Sequence, residues 1–564
     1  MKQRIVPVLV LAVGLVMAFH PTLLSGFERL QTDLGDTRLN NYLLEHGWRW
    51  LSGDPGVRLW HPPFFHPASN TLAYSDLLLS FGPLYWPWRA LGLGEVLSFQ
   101  LWMIGIAICN FAVSFLFLRR AMRFDQLGSA LGAYLISFAA SRVGQLGHQQ
   151  LFPVFFVIGA LWATCSMVGS ASAGEARGSR RWAAFVLFGC LVAQLYGSYY
   201  NFAFALAILS AAALVAAAVP NWRRALLDVA RVHWRPLVAA GCLAVILALP
   251  AAAHYLEAAG TVRPRPPGAA LAVLPRLASY VFVAESSWWY PWMDRLAPFR
   301  GLPVRHEHAL GLGFLTTGIL LWVAWRTRSQ AAVRLAAAVV LGLGLVVTML
   351  PGGIQLWTTL YHVFPPFQGL RAVSRILMLL PIPAGIAVAW LVSHRARGTR
   401  GRLVAALAVL ACLEQGVTSR SVEVAHVEAR TNEIAAQVDR TAEAFLVVPR
   451  GPVQRGFSWP HLDAMWASLR TDVPTVNGYT GNRPPGWDFG DLRLKRADSL
   501  DEVRRRLDAW AGATGLDPDR VQILVVDAAA HLPPDLRLGA ERAAPPGSRR
   551  NNRPAPGRQR APVS

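Results

Sequence analysis

Charged residues are scarce in this sequence, and lysine is almost missing. They make up 15% of the 564 residues, and only Lys2 and Lys495 among the 54 basic residues are lysines. Hydrophobic residues make up 54%, and the mean hydropathy is +0.34. This is more apolar surface than a water-soluble domain can bury. The composition therefore excludes a soluble globular protein and indicates an integral membrane protein.

The net charge of +21 does not indicate a nucleic-acid-binding protein. The arginines lie in short clusters between apolar runs, without a module that combines basic and aromatic residues. Such clusters indicate topology, because cytoplasmic loops are enriched in basic residues. The five cysteines all lie in apolar segments, which excludes a disulfide framework or a thiolate metal site in the hydrophilic parts.

Apolar runs of about 20 residues, the length that crosses a bilayer, recur along the chain. We predict a mostly α, polytopic transmembrane helical bundle with about 10 to 12 spans. The segment at residues 77–93 has Gly and Pro in its middle, so we expect an interfacial or re-entrant segment, with a full span as the alternative. The expected spans are residues 5–20, 97–118, 127–146, 151–170, 182–199, 201–219, 236–256, 309–325, 331–350, 375–393 and 402–418.

With this assignment the basic clusters all fall on one face of the membrane. By the positive-inside rule that face is cytoplasmic and includes the N-terminus. The long first loop at residues 21–94, the loop at residues 257–308 and everything after Thr418 then lie on the outer face. The basic clusters are at residues 1–4, 119–123, 177–181, 223–224, 326–328 and 395–402.

The chain after Thr418 has a different pattern. Residues 444–449 and 521–527 are apolar runs of strand length, and residues 500–511 have a helical pattern. The last residues are rich in Pro, Arg and Ala without periodicity, which predicts disorder. The predicted domains are a transmembrane domain over residues 1–418, a small extracytoplasmic α/β domain over residues 419–532 and a disordered tail over residues 533–564.

Two acidic residues, Asp33 and Asp36, lie just after the first apolar segment. Apolar residues at helical spacing follow over residues 39–51, which predicts a helix in the membrane interface that begins at Asp36. A carboxylate there can act as a general base, and a plain helix N-cap is the alternative role of Asp36. His66 and Asp76, further along the loop, are candidate site residues with scaffold roles as the alternative.

Groups that can offset the charge of a phosphate lie on the same outer face. Arg371 and Arg375 are four residues apart and would share one face of a helix. Glu307 lies at the entrance of a span, where a carboxylate is costly unless it is paired or used, and the same reasoning applies to His148. The His-Glu-His run at residues 306–308 is only a weak signal for a divalent cation, so no metal site is predicted.

Residues 477–486 are too rich in Gly and Pro for a helix or a central strand, so they are predicted to form a loop. Tyr479 in this loop is a candidate binding residue, with a plain surface turn as the alternative.

Five segments resemble multispanning glycosyltransferases of the GT-C superfamily, in particular YfhO-like and dolichyl-phosphate-mannose-type mannosyltransferase-like bacterial members. The resemblance covers most of the chain to about Gly490 and is uninformative about the sugar. The segments are Gly-Asp-Thr-Arg at 35–38, Asn-Thr-Leu-Ala-Tyr-Ser-Asp at 70–76, Gln-Leu-Gly-His at 145–148, Pro-Phe-Gln-Gly-Leu-Arg-Ala-Val-Ser-Arg at 366–375 and Asn-Gly-Tyr-Thr-Gly at 477–481.

The resemblance implies a bacterial cytoplasmic (inner) membrane enzyme that takes a sugar from a polyprenyl-phosphate donor. The acceptor would be a glycan, a lipid or a protein at the outer face, and the implied acid is Asp36 or Asp33. These two form an Asp-x-x-Asp pair, which differs from the Asp-x-Asp pattern of some members and leaves metal use open. The predicted catalytic residues are Asp36, Asp33 and Glu307, and the predicted substrate-binding residues are His66, Asp76, His148, Arg371, Arg375 and Tyr479.

Membrane lipids are expected partners, whereas nucleic acid is not, and no cofactor is predicted beyond a possible divalent cation. Two alternatives belong to other classes of protein. One is a transporter or flippase of lipid-linked envelope intermediates, and the other is a non-catalytic membrane protein of envelope assembly. Transporters often have internal repeats and charged residues at mid-membrane depth. The sequence has no convincing repeat and its polar residues gather at span ends, which favours the enzyme.

Overall fold

The apolar runs form long helices in the computed structural model, which describes residues 2–172, 182–262, 266–283, 286–363, 365–395, 398–451, 458–491, 494 and 500–527. The α-helices are α1 (Lys2–Leu24), α2 (Asp36–Leu51), α3 (Trp86–Ala90), α4 (Glu95–Leu116), α5 (Gln126–Phe138), α6 (Ala140–Val143), α7 (Phe155–Ser172), α8 (Trp182–Gly197), α9 (Tyr199–Ala218), α10 (Pro220–Thr261), α11 (Ala297–Arg300), α12 (Phe314–Arg326), α13 (Ala331–Val347), α14 (Trp357–Val363), α15 (Pro381–Arg395), α16 (Gly398–Leu413), α17 (Val424–Gln437), α18 (Trp459–Thr471) and α19 (Asp501–Thr514). The strands are β1 (Arg29–Gln31), β2 (Ser421–Glu423), β3 (Ala444–Arg450) and β4 (Val521–Asp527). The predicted tail at residues 533–564 lies outside the described residues.

Six helical segments are long and apolar enough to cross a membrane, and α13 with α14 forms a seventh that is bent by 83°. The predicted class, a mostly α polytopic membrane protein, is confirmed. Among the described residues, the number of full-length spans is below the predicted range, and two further apolar helices, α8 and α12, are shorter. The six segments are Ile5–Leu24, Glu95–Ala121, Gln149–Gly169, Tyr199–Ala218, Pro220–Thr261 and Val373–Arg395.

The span predicted at residues 127–146 is shorter than expected because the helix breaks at Ala139. The backbone of Ala139 leaves the helical region (φ −57°, ψ 145°), and α5 therefore ends one residue earlier. The amide freed after the break, that of Ala140, donates a hydrogen bond to the side chain of Gln415 at 3.0 Å. A distant side chain thus satisfies a backbone group that a continuous helix would have paired internally.

Two other predicted segments contain glycine breaks or short helices. The span predicted at residues 309–325 begins as a helix only at Phe314, because Gly313 has a φ of +85°, which an α-helix does not allow. Residues 77–93 form a 3₁₀ helix at Leu79–Leu84 followed by the five-residue α3. This segment therefore does not cross a membrane as one helix, which agrees with the favoured alternative.

The helices α5 and α15 cross in close backbone contact. A Cβ atom on Gly132 would lie 2.5 Å from the backbone oxygen of Gly385, and a Cβ on Gly385 would lie 2.4 Å from the backbone oxygen of Gly132. The two backbones touch because neither residue has a side chain, as is common between helices in membranes.

The helix α2 begins at Asp36 as predicted and is largely covered by the rest of the protein, and its location in the membrane interface stays a prediction. Eleven successive residues from Thr37 to Gly47 are buried. Several of their polar side chains are paired, and the Glu45 carboxylate accepts a hydrogen bond from Arg89 at 2.7 Å. These partners let a polar helix be covered on all sides. Among the described residues, Asn41 Oδ1 and His46 Nδ1 have no hydrogen-bond partner.

The preceding strand β1 pairs antiparallel with β2, which follows the last membrane helix, so the first loop is joined to the later part of the chain.

The C-terminal part contains the elements that the sequence predicted. Strands β3 and β4 pair in parallel over their full length, with Ala444 opposite Val521 and Arg450 opposite Asp527. The helix predicted at residues 500–511 is α19. Buried apolar side chains of the strands pack with Ile434 of α17 and Trp459 of α18. The outer location of this part, and its status as a separate domain, stay predictions.

Candidate active site

The turn between β1 and α2 places two carboxylates side by side. Asp36 is the first residue of α2, and the residue at the N-cap position is Gly35. The carboxylate that accepts the hydrogen bond of the Gly35 amide is that of Asp33, at 2.7 Å. The capping role considered for Asp36 therefore belongs to Asp33, and the Asp36 side chain is left for other contacts.

The Asp33 carboxyl lies close to neighbouring parts of the chain, although the residue as a whole is exposed. Burial, reinforced by the charge of Asp36, raises its pKa to about 6, although backbone amides of the turn partly oppose this shift. Its Oδ2 atom lies only 2.5 Å from where a Cβ of Gly147 would be. A side chain at position 147 would therefore displace the Asp33 carboxyl from its present position.

The two oxygens of Asp36 have different surroundings. The Tyr479 hydroxyl donates a hydrogen bond to Oδ1 at 2.9 Å, and burial together with Asp36 raises the pKa of Tyr479, which keeps the phenol protonated. His148 Nε2 lies 3.5 Å from Oδ2. Oδ2 accepts no hydrogen bond from the described residues, and the side chain is 30% exposed. One oxygen is held, and the other is open to a ligand.

Behind Asp36, three side chains form a connected chain. Arg375 donates to His148 Nε2 at 2.7 Å and forms a two-pronged contact with Glu307, with nitrogen–oxygen distances of 2.5 and 3.0 Å. Such a forked pair fixes the guanidinium in position. The Arg375 guanidinium also lies over the ring of Tyr200, 5.4 Å from its centroid. A connected set of hydrogen bonds thus joins His148 to the Arg375–Glu307 pair beside Asp36.

The protonation states follow from these contacts. Burial and the neighbouring Arg375 lower the pKa of His148 to about 4, so its ring is neutral at pH 7. Because Arg375 donates to Nε2, the ring proton is assigned to Nδ1. Burial alone would raise the pKa of Glu307, but the Arg375 charge and hydrogen bonds outweigh it and hold that pKa at about 2. Glu307 is an anion bound to Arg375.

Arg371 does not share a helical face with Arg375, contrary to the prediction from their spacing. Arg371 lies in a bend before the 3₁₀ helix Val373–Leu379, so the four-residue spacing does not align the two side chains. Its backbone amide donates to the Tyr200 hydroxyl at 3.0 Å. The guanidinium is exposed and has no hydrogen bond or ion pair within the part of the chain that the structure describes.

Asp76 and His66 have mainly structural contacts. The buried Asp76 carboxylate accepts the first backbone amide of α9, that of Tyr199, at 2.6 Å, and burial raises its pKa to about 6. His66 is held by its backbone: its amide donates to the Thr475 carbonyl at 3.0 Å, and its carbonyl accepts from the Trp510 indole at 2.9 Å. These contacts correspond to the scaffold alternatives.

The sequence did not single out Tyr200 or Gly147 as site residues. Gly147 stood inside the quoted Gln-Leu-Gly-His run, and its position beside His148 was a usable signal. Tyr200 had none, because its role depends on contacts with Arg371 and Arg375. The residues at 306–308 do not form a metal cluster: His308 pairs with Ser279 at 2.8 Å, and among the described residues no group of three His, Cys, Asp or Glu is placed to hold a metal ion.

No protein-family model and no curated protein matches the chain. Three similar solved structures are arabinofuranosyltransferase AftD from Mycobacteria (TM-score 0.46, 14% identity, 87% of this chain and 31% of AftD), the oligosaccharyltransferase AglB from Archaeoglobus fulgidus (0.48, 12%, 84% and 64%) and ArnT from Cupriavidus metallidurans (0.40, 13%, 95% and 94%). The chain thus spans about a third of AftD and just under two thirds of AglB. AftD and AglB are, by their names, an arabinofuranosyltransferase and an oligosaccharyltransferase. At these identities and TM-scores, the activity has to be inferred from the chain's own residues.

Proposed function

We propose that this chain is a membrane glycosyltransferase that moves a sugar from a polyprenyl-phosphate-linked donor to an acceptor hydroxyl, with Asp36 as the general base. The observation that supports it most directly is the asymmetry of Asp36. Oδ1 is held by Tyr479 and Oδ2 is open, at the edge of a membrane helix bundle and beside fixed cationic and neutral partners. A base needs this combination of fixed orientation and a free lone pair.

In the proposed reaction, the acceptor oxygen attacks the anomeric carbon of the donor sugar. The bond between that carbon and the phosphate oxygen breaks, and its electron pair leaves with the lipid phosphate. The proton of the acceptor hydroxyl moves to Asp36 Oδ2. Because no covalent sugar–enzyme bond is formed, a single displacement inverts the anomeric configuration.

The leaving phosphate gains negative charge as the bond breaks, and a cation nearby would stabilise it. The Glu307 carboxylate neutralises the charge of Arg375 in a buried ion pair, so Arg375 offers little positive charge to a phosphate. Arg371 is exposed and four residues away, and its backbone is fixed by Tyr200. We assign phosphate binding to Arg371. We assign Glu307 and His148 to holding Arg375 rather than to direct contact with the reacting atoms.

The test is incubation of the purified protein with a panel of radiolabelled polyprenyl-phosphate sugars and with glycan, lipid and protein acceptors. Asp36→Asn keeps the shape of the side chain but cannot take a proton, so transfer should fall by at least about 100-fold. Arg371→Gln should raise the KM for the donor more than the KM for the acceptor. We propose that no cofactor takes part, so activity should persist in EDTA.

Asp33→Asn is the matched control, because Asp33 is the neighbouring carboxylate and already accepts a hydrogen bond from the Gly35 amide. It should lose less activity than Asp36→Asn. Near-parental transfer by Asp36→Asn in a correctly inserted protein would refute Asp36 as the base.

A further inference from the structure

A cleft separate from the candidate active site opens on the face of the protein that carries the first loop. Three distant parts of the chain meet there. It has a volume of about 200 Å³. The first loop contributes Ser69 and Tyr74, the end of α10 contributes Glu257 and Thr261, and α19 contributes Trp510. Seams between separate structural parts are common places for ligand sites.

The lining of this cleft combines buried aromatic side chains with polar groups that face the opening. Tyr74 and Trp510 are buried, and the Trp510 indole is fixed by its hydrogen bond to the His66 carbonyl. The hydroxyls of Ser69 and Thr261 and the carboxylate of Glu257 lie among them. Because Tyr74 and Trp510 are almost fully covered, the cleft presents to a ligand mainly these hydroxyls and the carboxylate, which can hydrogen-bond the hydroxyl groups of a carbohydrate.

The charge of the lining distinguishes this cleft from the proposed phosphate-binding residue, Arg371. Glu257 is the one charged side chain among the described residues that line it, although the chain as a whole has a net charge of +21. A carboxylate repels a phosphate, so the lipid carrier is a poor ligand here. A hydroxyl-rich, uncharged ligand can instead donate hydrogen bonds to Glu257.

One loop connects this cleft to the candidate active site. Tyr479 contacts Asp36, and Pro484 and Pro485 of the same loop line the cleft. The backbone from Tyr479 to Pro484 spans at most about 18 Å. A glycan that lies in the cleft can therefore extend towards Asp36 along this loop.

We infer that this cleft binds neutral carbohydrate, as a subsite for the part of an acceptor glycan away from its reacting end. The inference rests on the proposed function for its role in transfer, but carbohydrate binding itself can be measured without turnover. Within the proposed reaction, it makes the acceptor a glycan rather than a lipid or a protein.

The experiment measures the binding of four neutral trisaccharides, mannotriose, galactotriose, maltotriose and arabinotriose, to the full-length protein in detergent by calorimetry. Thr514→Trp fills the cleft, since Thr514 lines it and is half-buried, and should weaken binding at least about tenfold. Ala509→Trp is the matched control, because Ala509 is exposed on the same helix α19 and does not line the cleft.

Glu257→Gln should weaken binding about threefold to tenfold, because a neutral amide replaces a charged acceptor. Asp508→Asn, an exposed change on α19, serves as its control. Asp36→Asn should bind the trisaccharide like the parent. Failure of transfer by the parent would thus leave the binding result intact and count only against the proposed function. Binding of none of the four sugars, or binding that Thr514→Trp leaves unchanged, would overturn the inference.

Discussion

At the scale of single residues, Tyr479 makes the contact that most limits the freedom of Asp36. The hydrogen bond joins residues 443 positions apart and holds one carboxylate oxygen. The sequence-based role of Tyr479, contact with an acceptor, is compatible with this bond, since only the hydroxyl is used. The ring remains available to a ligand that approaches Asp36.

We expect Tyr479→Phe to lower kcat/KM about tenfold, because a hydrogen bond to a charged group that orients the base is lost. Tyr196→Phe is the control, since the Tyr196 hydroxyl also donates a hydrogen bond, to Leu247 on α10. Steady-state kinetics of both variants with one donor and one acceptor decide the matter. Equal activity of Tyr479→Phe and the parent would show that Asp36 is positioned without Tyr479.

Asp33 gives a prediction about stability and pH. Its pKa is raised from 3.8 to about 6 in the folded protein, so the folded state holds this proton more tightly than the unfolded chain does. The free energy of unfolding therefore falls as the pH rises from about 4 to about 6. The fall from this group is well below the roughly 3 kcal/mol of a fully buried carboxyl with this pKa shift, because Asp33 is exposed and solvent screens its charge. Asparagine cannot titrate, so Asp33→Asn should remove the contribution of this residue to the pH-dependent fall in the free energy of unfolding.

Thermal unfolding in detergent at a series of pH values measures this effect. The melting temperature of Asp33→Asn minus that of the parent should rise between pH 4 and pH 6 and stay level above it. The exposed Asp508→Asn provides the control. A difference that does not change with pH would mean that Asp33 titrates alike in the folded and unfolded chain.

At the scale of helices, the crossing of α5 and α15 depends on two glycines. Gly132→Ala would place a Cβ 2.5 Å from the Gly385 oxygen, and backbone on both sides cannot move as a side chain can. We expect a loss of about 1–3 kcal/mol in the free energy of unfolding. Gly189→Ala on α8 is the control, because nothing lies within 4 Å of its Cβ position and alanine favours a helix. Thermal unfolding of Gly132→Ala at the parental temperature would contradict the tight crossing.

Helix positions were predictable from the sequence where apolar runs and glycines are local signals. The break before Phe314 had such a signal in Gly313. The break at Ala139 had none, because residues 137–143 contain neither glycine nor proline and the partner of the freed amide is Gln415, far along the chain. Local patterns cannot reveal a bond of this kind.

The candidate site, like the helices, was predictable from the sequence only where the signal is local. Acidic and basic residue types at span ends pointed to Asp36, His148, Glu307 and Arg375 individually, and the structure brings these four together. The contacts between these four side chains could not be predicted from the sequence, because they depend on how the helices pack. The predicted shared helical face of Arg371 and Arg375 was wrong for a related reason: spacing implies a shared face only if the segment is an α-helix, and this segment begins with a bend. The substrate-binding role of Arg371 stays a prediction.

At the scale of the whole molecule, a buried cluster of three charged residues joins the active-site helix to the C-terminal part. The Asp463 carboxylate of α18 is fully buried and forms ion pairs with Arg38 of α2 and Arg430 of α17, the latter at 2.8 Å. Arg38 lies two residues after Asp36 and also donates to Thr431 of α17 at 3.0 Å. Asp36 is thus held by the membrane part and by the C-terminal part at the same time.

Asp463→Asn should be strongly destabilising, because it leaves two buried guanidinium groups without their shared counter-charge. Breaking a buried ion pair by removing one partner costs about 3–5 kcal/mol. We expect a large drop in the melting temperature and faster proteolysis between α16 and β3, together with a loss of transfer that follows the loss of the folded state. Glu502→Gln, in an exposed ion pair on α19, should change none of these measurements. If Asp463→Asn unfolds like the parent but loses activity, the cluster acts on Asp36 alone and does not join the two parts of the chain.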